Sequence, residues 1–493
     1  YLALSYLLYY KDLMLPQIVA GKNLNLPLVG PLLRKGGAFF MRRSFSNNRL
    51  YSVVFYEHLK KLMQRGHSIE FFPEGGRSRS GKLMPPRPGI ISMILRSFLG
   101  MDEKQVSFVP ISINYEKVLE GNSYINEVMG AEKKKENLKD IFSVFRDFRN
   151  YLGEAYLQFG EPINLNALLK EYPLSDYSSE KDWLFKVTPV LGKKIMTTIN
   201  DSTVVTSTAL FSLAILNSDG FSISNRELVS RIELLKSLLA EDKYSAKTLI
   251  CEKTGEEIID QMRKLGFLSK EGINDRISLT NLEAAKLSFY RNNISHLLIF
   301  ESLICGFFQY QKEIVKEDLL QSIKMIYPFL KEEFFLKWDE ADLDQLINLK
   351  LNKLINKNLI LEDSNNYKRP DFKSREFYET QSLGKLVQPS IDRFYVLISQ
   401  LWKNSVEHIS KNELERNSLE ILKNLEKTQA RLTPEFSEKW MFDVFLNRLI
   451  ENKYVREDDK GMLYPTRITQ RLEKDANKFL EPNWLKELSK STT

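Results

Sequence analysis

The sequence predicts an α/β domain, a mixed sheet flanked by helices, followed by a mainly α-helical C-terminal region with winged-helix-like hairpins. Three observations carry that expectation. Through the first two hundred residues, short apolar runs bounded by Gly and Pro alternate with stretches of helical apolar spacing, the pattern of strands interleaved with helices. Beyond about Asp201 the composition turns to long Leu-, Ile-, Lys- and Glu-rich stretches. Within that half, RKLGFLSKEG, INKNLILEDS and IENKYVREDD each follow a helical run about 90 residues apart, with Leu268, Ile360 and Val455 in corresponding places. Each reads as a helix ending in a short hairpin. Three copies at that interval do not make a solenoid, whose repeats are about 20–50 residues. The expected division is residues 1–200 and 201–493.

Taken in order, residues 1–10 are apolar and aromatic, and Lys11 and Asp12 open a loop toward Pro16. Gln17 to Ala20 reads as a short strand and Gly21 to Asn25 as a turn. Gly30, Pro31, Gly36 and Gly37 punctuate the approach to a second buried strand, Ala38 to Met41, whose end delivers Arg42 and Arg43. Asn48 to Arg65 has helical spacing through Leu50, Val54, Leu59 and Leu62, with Gly66 placed to cap its C-terminus. Ile69 to Phe72 reads as a strand and Ile90 to Leu99 as a helix. Val106 to Ile113 reads as a strand containing Pro110, which lacks a ladder donor and so belongs at a bulge or strand end. Tyr156 to Phe159 is a further edge strand. Lys133 to Lys135 lie in a charged connection and read as a solvated face.

The stretch Ser68 to Gly89, SIEFFPEGGRSRSGKLMPPRPG, is the candidate site. A strand ends in Glu74, Gly75 and Gly76, and Arg77, Arg79 and Lys82 follow within six residues. Glycines let backbone approach a ligand without Cβ interference, and clustered guanidinium groups suit bidentate phosphate binding. The residues alone fit an anion site and an exposed basic hairpin about equally. Gly76, four residues, Gly81 and Lys82 also fit most of a P-loop, but Leu83 stands where Ser or Thr would hold magnesium. Pro85, Pro86 and Pro88 then oppose the helix such a loop requires, so that reading fails. Lys82, just before the proline run, is expected to be solvated and dispensable.

A chain of 493 residues suffices for two or three domains with sizeable cores. Its 43% hydrophobic and 27% charged residues are those of a globular protein. Cys251 and Cys305 supply neither a disulfide framework nor zinc spacing, so a reducing compartment and no metal are expected. Charge is uneven: residues 1–100 hold 15 Lys and Arg against 4 Asp and Glu, a balance of +11, while the remainder holds 56 against 60, or −4. Such a basic segment suits an anionic partner: nucleic acid, a phosphorylated metabolite, an acyl-carrier cofactor or acidic lipid headgroups. Nucleic acid is set aside, because winged helices that bind it need a basic recognition helix. The downstream half is net acidic, and Glu256 to Arg263, EEIIDQMR, is a poor phosphate-facing helix. Packing or protein interaction is the expected use of those modules. No apolar run reaches the ~18–20 residues of a spanning helix. Ser202 to Ser218, uncharged but rich in Ser and Thr, is read as a buried core helix. Ile294 to Tyr310 could lie in a membrane interface or fill a core, and the core is favoured.

Four blocks read together carry a resemblance: AGKNLN at Ala20 to Asn25, GGAFFMRRSF at Gly36 to Phe45, the EGGRSR loop, and VSFVPISINYE at Val106 to Glu116. In order and spacing they resemble the glycerol-3-phosphate acyltransferase family, and EGGRSR rather than EGTRSR resembles its bacterial membrane form. The likeness extends through YRNNISHL at Tyr290 to Leu297 and YPFLKEEFFLKWDE at Tyr327 to Glu340, so it covers nearly the whole chain. It implies an acyltransferase-type sheet and transfer of an acyl group from acyl-CoA or acyl carrier protein to glycerol 3-phosphate. The product is 1-acyl-glycerol 3-phosphate, in phospholipid biosynthesis. The alternatives are an acyltransferase acting on dihydroxyacetone phosphate and a catalytically inactive binding module.

The family's catalytic motif is His, four residues, Asp. By the alignment its Asp falls immediately before Tyr1, so the expectation is a C-terminal part of the enzyme, inactive alone. None of His58, His67, His296 and His408 has Asp five residues on; His296 and His408 have Glu301 and Glu413 there, which chance and helix spacing explain. No catalytic residue is therefore assigned. Carried over as substrate-binding are Phe40, Arg42 and Arg43 from the second block, Glu74, Gly75, Gly76, Arg77 and Arg79 from the third, and Pro110 from the fourth. Arg42 and Arg77 are expected as principal phosphate ligands. Glu74 would fix an arginine or a glycerol hydroxyl, or form a salt bridge that holds the loop. Pro110 would shape the site. No cofactor is implied beyond the acyl donor. The implied partners are glycerol 3-phosphate, the donor and a membrane surface, with no nucleic acid. The implied place is peripheral, on the cytoplasmic side of the cell inner membrane.

Overall fold

The computed structural model describes residues 2–25, 27, 29–42, 48–101, 105–118, 151–268, 275–404, 408–428, 433–476, 478 and 480. These fall into two compact units. The first holds the described residues up to Val204 other than Arg79–Lys82; the second holds Arg79–Lys82 and the described residues from Val205 onward.

The first unit opens with α1 (Leu2–Tyr10), β1 (Gln17–Gly21), α2 (Val29–Lys35) and β2 (Ala38–Met41). Then come α3 (Arg49–Gln64), β3 (Ile69–Glu70) and α4 (Pro88–Leu99). The three strands form a parallel sheet in the order β2-β1-β3, with Gly21 opposite Met41 and Ile18 opposite Glu70. Asn48 caps α3 by accepting from the Tyr51 amide at 3.0 Å, and Gly66 follows its end with φ +78°. The expected strand Ile69 to Phe72 is shorter than its apolar run, because the chain turns at Pro73. The helix expected from Ile90 begins at Pro88, which is suited to a first turn that needs no amide donor.

Val106 to Ile113 is two strands rather than one, β4 (Ser107–Phe108) and β5 (Ile111–Tyr115), broken at Val109 and Pro110. The Pro110 carbonyl accepts from the Gly160 amide at 2.8 Å. A Cβ on Gly160 would lie 2.7 Å from Thr198 and 3.2 Å from that carbonyl, so the close approach depends on glycine. β6 (Ala155–Phe159) pairs antiparallel with β5, and β7 (Ile163–Asn164) with β4. α5 (Leu165–Glu171) and the long α6 (Glu180–Asp201) complete the unit. Its core lies where α3, α4 and α6 meet, through Phe55, Leu59, Ile91, Leu95, Trp183, Val187 and Leu191. Burying each such aliphatic side chain contributes about 1.5–3 kcal/mol. The Trp183 indole N–H is satisfied by the Tyr172 carbonyl at 2.7 Å.

The second unit is mainly helical and repeats one plan three times: strand, helix, helix, returning strand. The first copy runs Ser222–Ser224, Asn225–Glu241, Gly255–Lys264 and Arg276–Ser278. The second runs Glu313–Val315, Lys316–Phe334, Leu343–Asn356 and the hairpin Leu361–Glu362 with Asn366–Lys368. The third runs Ile409–Ser410, Lys411–Thr428, Lys439–Glu451 and the hairpin Val455–Glu457 with Met462–Pro465. In each copy the returning strand pairs antiparallel with the opening one. The similarity of the three sequence segments has a backbone cause. Gly266, Asn358 and Lys453 each take positive φ just past a helix (74°, 56° and 61°). In each case the next amide reaches back five residues: Phe267 to Met262, Leu359 to Leu354, Tyr454 to Leu449. This is a Schellman end, with an apolar residue after the left-handed one packing back on the helix. Lys133 to Lys135 and the residues just after Leu268 lie outside the described residues.

Both ambiguous apolar stretches are core. The helix Ser207–Leu216 is buried along its whole length, and its hydroxyls are satisfied locally, Ser212 donating to the Thr208 carbonyl at 2.6 Å. Ile294 to Phe308 is likewise buried. Among the described residues no helix is long and apolar enough to cross a membrane.

Candidate functional site

Because β1, β2 and β3 are parallel, their C-terminal ends open on one edge of the sheet. Gly21, Arg42 and the loop that begins at Phe71 are all delivered there, the edge where parallel sheets characteristically place ligand sites. Phe40, near the end of β2, is half-buried against the Ile18, Ala20 and Ala38 cluster, with the Arg34 guanidinium 4.9 Å from its ring centre. Arg42 is exposed. Its backbone amide donates to the Tyr51 hydroxyl at 3.1 Å, and its guanidinium lies 4.7 Å from the Tyr51 ring centre. The stacking orients a planar fork without using its donors. Arg43 lies outside the described residues.

The loop after β3 is closed on itself by three contacts. The Gly75 amide donates to the Phe72 carbonyl at 3.1 Å, and the Arg87 amide to the Pro73 carbonyl at 2.7 Å. Glu74 Oε2 accepts from the Met84 amide at 2.8 Å. Glu74 thus uses one oxygen to hold the loop itself. Gly75 has φ +63°, and a Cβ there would meet Arg87 Cγ at 2.9 Å; a side chain would be both strained and obstructed. A Cβ on Gly76 would meet Met84 at 3.6 Å, an ordinary contact. Arg77 follows on the exposed side of the turn. Downstream, Pro86 packs where α6 has Gly192, whose added Cβ would come within 2.9 Å of the proline ring. No helix follows Lys82, in keeping with the failure of the P-loop reading; α4 starts only at Pro88.

Pro110 sits at the break between β4 and β5, two residues from Phe108, whose ring meets that of Phe71 edge-on at 6.0 Å. The structure thereby brings β4 beside the end of β3, with Pro110 buried near it. Glu70, the last residue of β3, was not singled out in the sequence; burial pushes its carboxyl above the ordinary range.

Arg79 and Lys82 belong to the second unit. The expectation that Lys82 is solvated is wrong: it is 5% exposed, and its ammonium is 2.5 Å from Glu333 Oε1. Nothing in the local sequence signals this, because Glu333 and Ser390, which hold Lys82, lie 251 and 308 positions away, and Asn292 and Asn293, which hold Ser80 and Gly81, are each 212 away. The usable signal was in Tyr290 to Leu297 and Tyr327 to Glu340, which supply Asn292, Asn293 and Glu333.

The two histidines with a Glu five residues on have structural surroundings. Glu301 is buried between Lys353 and Lys350, the latter at 3.1 Å. Burial opposes its ionisation, but the two ammonium groups hold its carboxyl below the ordinary value. Glu413 accepts from the Ser410 hydroxyl at 2.8 Å as part of a helix N-terminal cap. Among the described residues no three His, Cys, Asp or Glu side chains gather where a metal could be held.

Comparison with known proteins gives this geometry a context. The family described as glycerol-3-phosphate acyltransferase C-terminal region matches residues 124–458, and the acyltransferase family matches residues 1–114. A glycerol-3-phosphate acyltransferase of Pseudomonas paraeruginosa (strain DSM 24068 / PA7) is 34% identical over 491 residues, covering 98% of this chain and 59% of the relative. One of Pseudomonas putida (strain GB-1) is 35% identical over 471 residues, 94% of this chain and 57% of the relative. The chain thus spans about three fifths of the length of these relatives. Matched over well more than half its length, the chain belongs to the glycerol-3-phosphate acyltransferase family.

Proposed function

We propose that the sheet edge carrying Arg42 and the Glu74–Arg77 loop is the acceptor site of an O-acyltransferase. Its substrate is glycerol 3-phosphate, its donor an acyl thioester of coenzyme A or acyl carrier protein, and its product 1-acyl-glycerol 3-phosphate for phospholipid synthesis. The observation that carries the reading is the delivery of an arginine from β2 and a Gly-Gly-Arg turn after β3 to one end of a parallel sheet. A phosphate has the charge and the acceptor geometry for two guanidinium forks. The backbone at Gly75 and Gly76 allows it to approach closely.

In acyl transfer the acceptor hydroxyl loses its proton to a base and attacks the thioester carbonyl. The tetrahedral oxyanion then collapses with departure of the thiolate. These residues bind and orient the acceptor for that attack. The four histidines offer no His-x4-Asp pair, so we infer that this stretch binds acceptor and does not turn it over by itself. No cofactor other than the donor is required. We place the protein peripherally on the cytoplasmic side of the inner membrane, supported by the +11 balance of residues 1–100, which suits an anionic lipid surface.

The test is titration calorimetry of the 493-residue chain with sn-glycerol 3-phosphate and with glycerol, alongside flotation with anionic vesicles at low and high salt. Saturable binding of the phosphate ester alone, and vesicle binding that weakens with salt, are expected. Equal affinity for glycerol would contradict a phosphate site.

A further inference from the structure

The chain leaves the first unit after Ser78 and returns to it at Leu83. The four residues between, immediately downstream of the Gly-Gly-Arg turn, are held in the second unit by a buried polar cluster. Lys82 Nζ meets Glu333 Oε1 at 2.5 Å, and Glu333 also accepts from Arg393 Nη2 at 2.6 Å and from the Ser390 hydroxyl at 2.8 Å. Asn292 Nδ2 donates to the Ser80 carbonyl at 2.7 Å and to Glu435 at 2.8 Å, and Arg291 pairs with the same Glu435. Asn293 Nδ2 donates to the Gly81 carbonyl at 2.9 Å. Glu438 Oε1 accepts from the Ser80 amide at 3.3 Å. Lys82, Glu333, Arg393, Arg291 and Glu435 are each at most 5% exposed in the side chain. Gly81 has φ +82°, and a Cβ there would overlap the Phe289 carbonyl oxygen.

A buried ion pair adds little net stability over apolar residues of the same volume, because desolvation offsets most of the attraction. What it does add is one unique geometry, since a buried ammonium has few satisfied positions. Here the geometry is imposed on the chain three to five residues after Arg77. Ser80, Gly81 and Lys82 are each gripped separately, at a carbonyl, a carbonyl and an ammonium. That is more fixing than a surface hairpin needs, and it is what an arginine must have upstream if it is to meet a ligand in one orientation.

We propose that Lys82, seated on Glu333, and Asn293, bonded to the Gly81 carbonyl, are positioning residues that hold the turn so that Arg77 is presented to the acceptor phosphate. The proposal rests on the acceptor-site reading above.

The test compares wild type with Lys82→Met and Asn293→Ala, by hydrogen exchange of the amides of residues 75–87 and by calorimetry with sn-glycerol 3-phosphate. Lys82→Met leaves Glu333 paired with Arg393 and Ser390, so no charge is orphaned, and Asn293→Ala keeps the test alive should Lys82→Met fail to fold. Faster exchange confined to this loop is expected in both. Acceptor affinity should fall about ten- to a hundredfold, the cost of displacing a positioned group, with the helical circular-dichroism signal of the folded protein unchanged. Wild-type exchange and wild-type affinity in either folded variant overturn the proposal. If wild type itself does not bind the phosphate ester, the acceptor reading fails, and loop exchange alone decides whether the anchor stands.

Discussion

Replacing Gly81 with Ala is the sharpest probe of how the second unit holds its inserted segment. The residue has φ +82°, and a Cβ would overlap the Phe289 carbonyl oxygen while lying 2.8 Å from its carbonyl carbon and 3.0 Å from Asn293 Nδ2. The left-handed conformation alone costs an L-residue about 1–2 kcal/mol. Relieving the overlap moves the backbone away from Asn293, and losing that 2.9 Å hydrogen bond costs about 1–2 kcal/mol more. The expected loss is thus about 2–4 kcal/mol. Gly220 is the matched control in the same unit: its φ is +57°, and nothing lies within 4 Å of an added Cβ. Gly220→Ala should lose only the conformational term, about 1–2 kcal/mol. Equilibrium urea unfolding of the two variants isolates the contact from the dihedral. A Gly81→Ala variant no less stable than Gly220→Ala would refute the packing described around residue 81.

Glu333 predicts a pH dependence. Burial opposes its ionisation, but Arg393 and Lys82 overcome that, and its carboxyl is held down at about 2 from an ordinary 4.5. A depressed folded value gives stability that is fully present above pH 4.5 and lost as pH falls toward 2, on the order of 3 kcal/mol. Urea midpoints measured across pH 2–5 should show that slope in wild type and a flatter one in Glu333→Gln, which starts less stable at neutral pH. The two thiols should also separate. Burial pushes the Cys305 thiol far up and leaves it without exposure, whereas Cys251 is part-exposed, so maleimide should label Cys251 in the native protein and Cys305 only after denaturation. In the first unit, Ile91→Ala removes a fully buried side chain from the α4 core and should cost about 2–5 kcal/mol in the same unfolding assay.

The parts of this fold that were legible in the sequence are those fixed locally. The ends of β1 and β2, the capped start of α3 at Asn48 and the turn at Gly66 follow from apolar runs and residues with restricted φ or capping groups. The three hairpin segments were visible because a Schellman end demands a left-handed residue followed by an apolar one, whatever the chemistry of the former. Strand length was less legible. Phe71 and Phe72 look as strand-like as Ile69, and only the turn at Pro73 ends the pairing. Pro110 declared a break but not that two separate pairings flank it. The site divides in the same way. Arg42 and the Gly75–Arg77 turn stand out from residue types alone, whereas Glu74's bond to Met84 and the stacking of Arg42 on Tyr51 depend on how the chain returns. Lys82 was misread for the plainest physical reason. A basic residue before a proline run is solvated by default, and its burial here depends on Glu333 and Ser390, hundreds of residues downstream.

In the proposed acceptor site a specific guanidinium fork, rather than mere positive charge, receives the phosphate at the end of the parallel sheet. Arg77 decides it. Titrating sn-glycerol 3-phosphate into wild type, Arg77→Lys and Arg77→Ala separates the two readings, because lysine keeps the charge and loses the paired, planar donors. Losing one charge-assisted contact of that kind costs about 1.5–3 kcal/mol, so both variants should bind about ten- to a hundredfold more weakly. Arg77→Lys binding as tightly as wild type would contradict the fork, and unchanged affinity in both variants would remove Arg77 from the site.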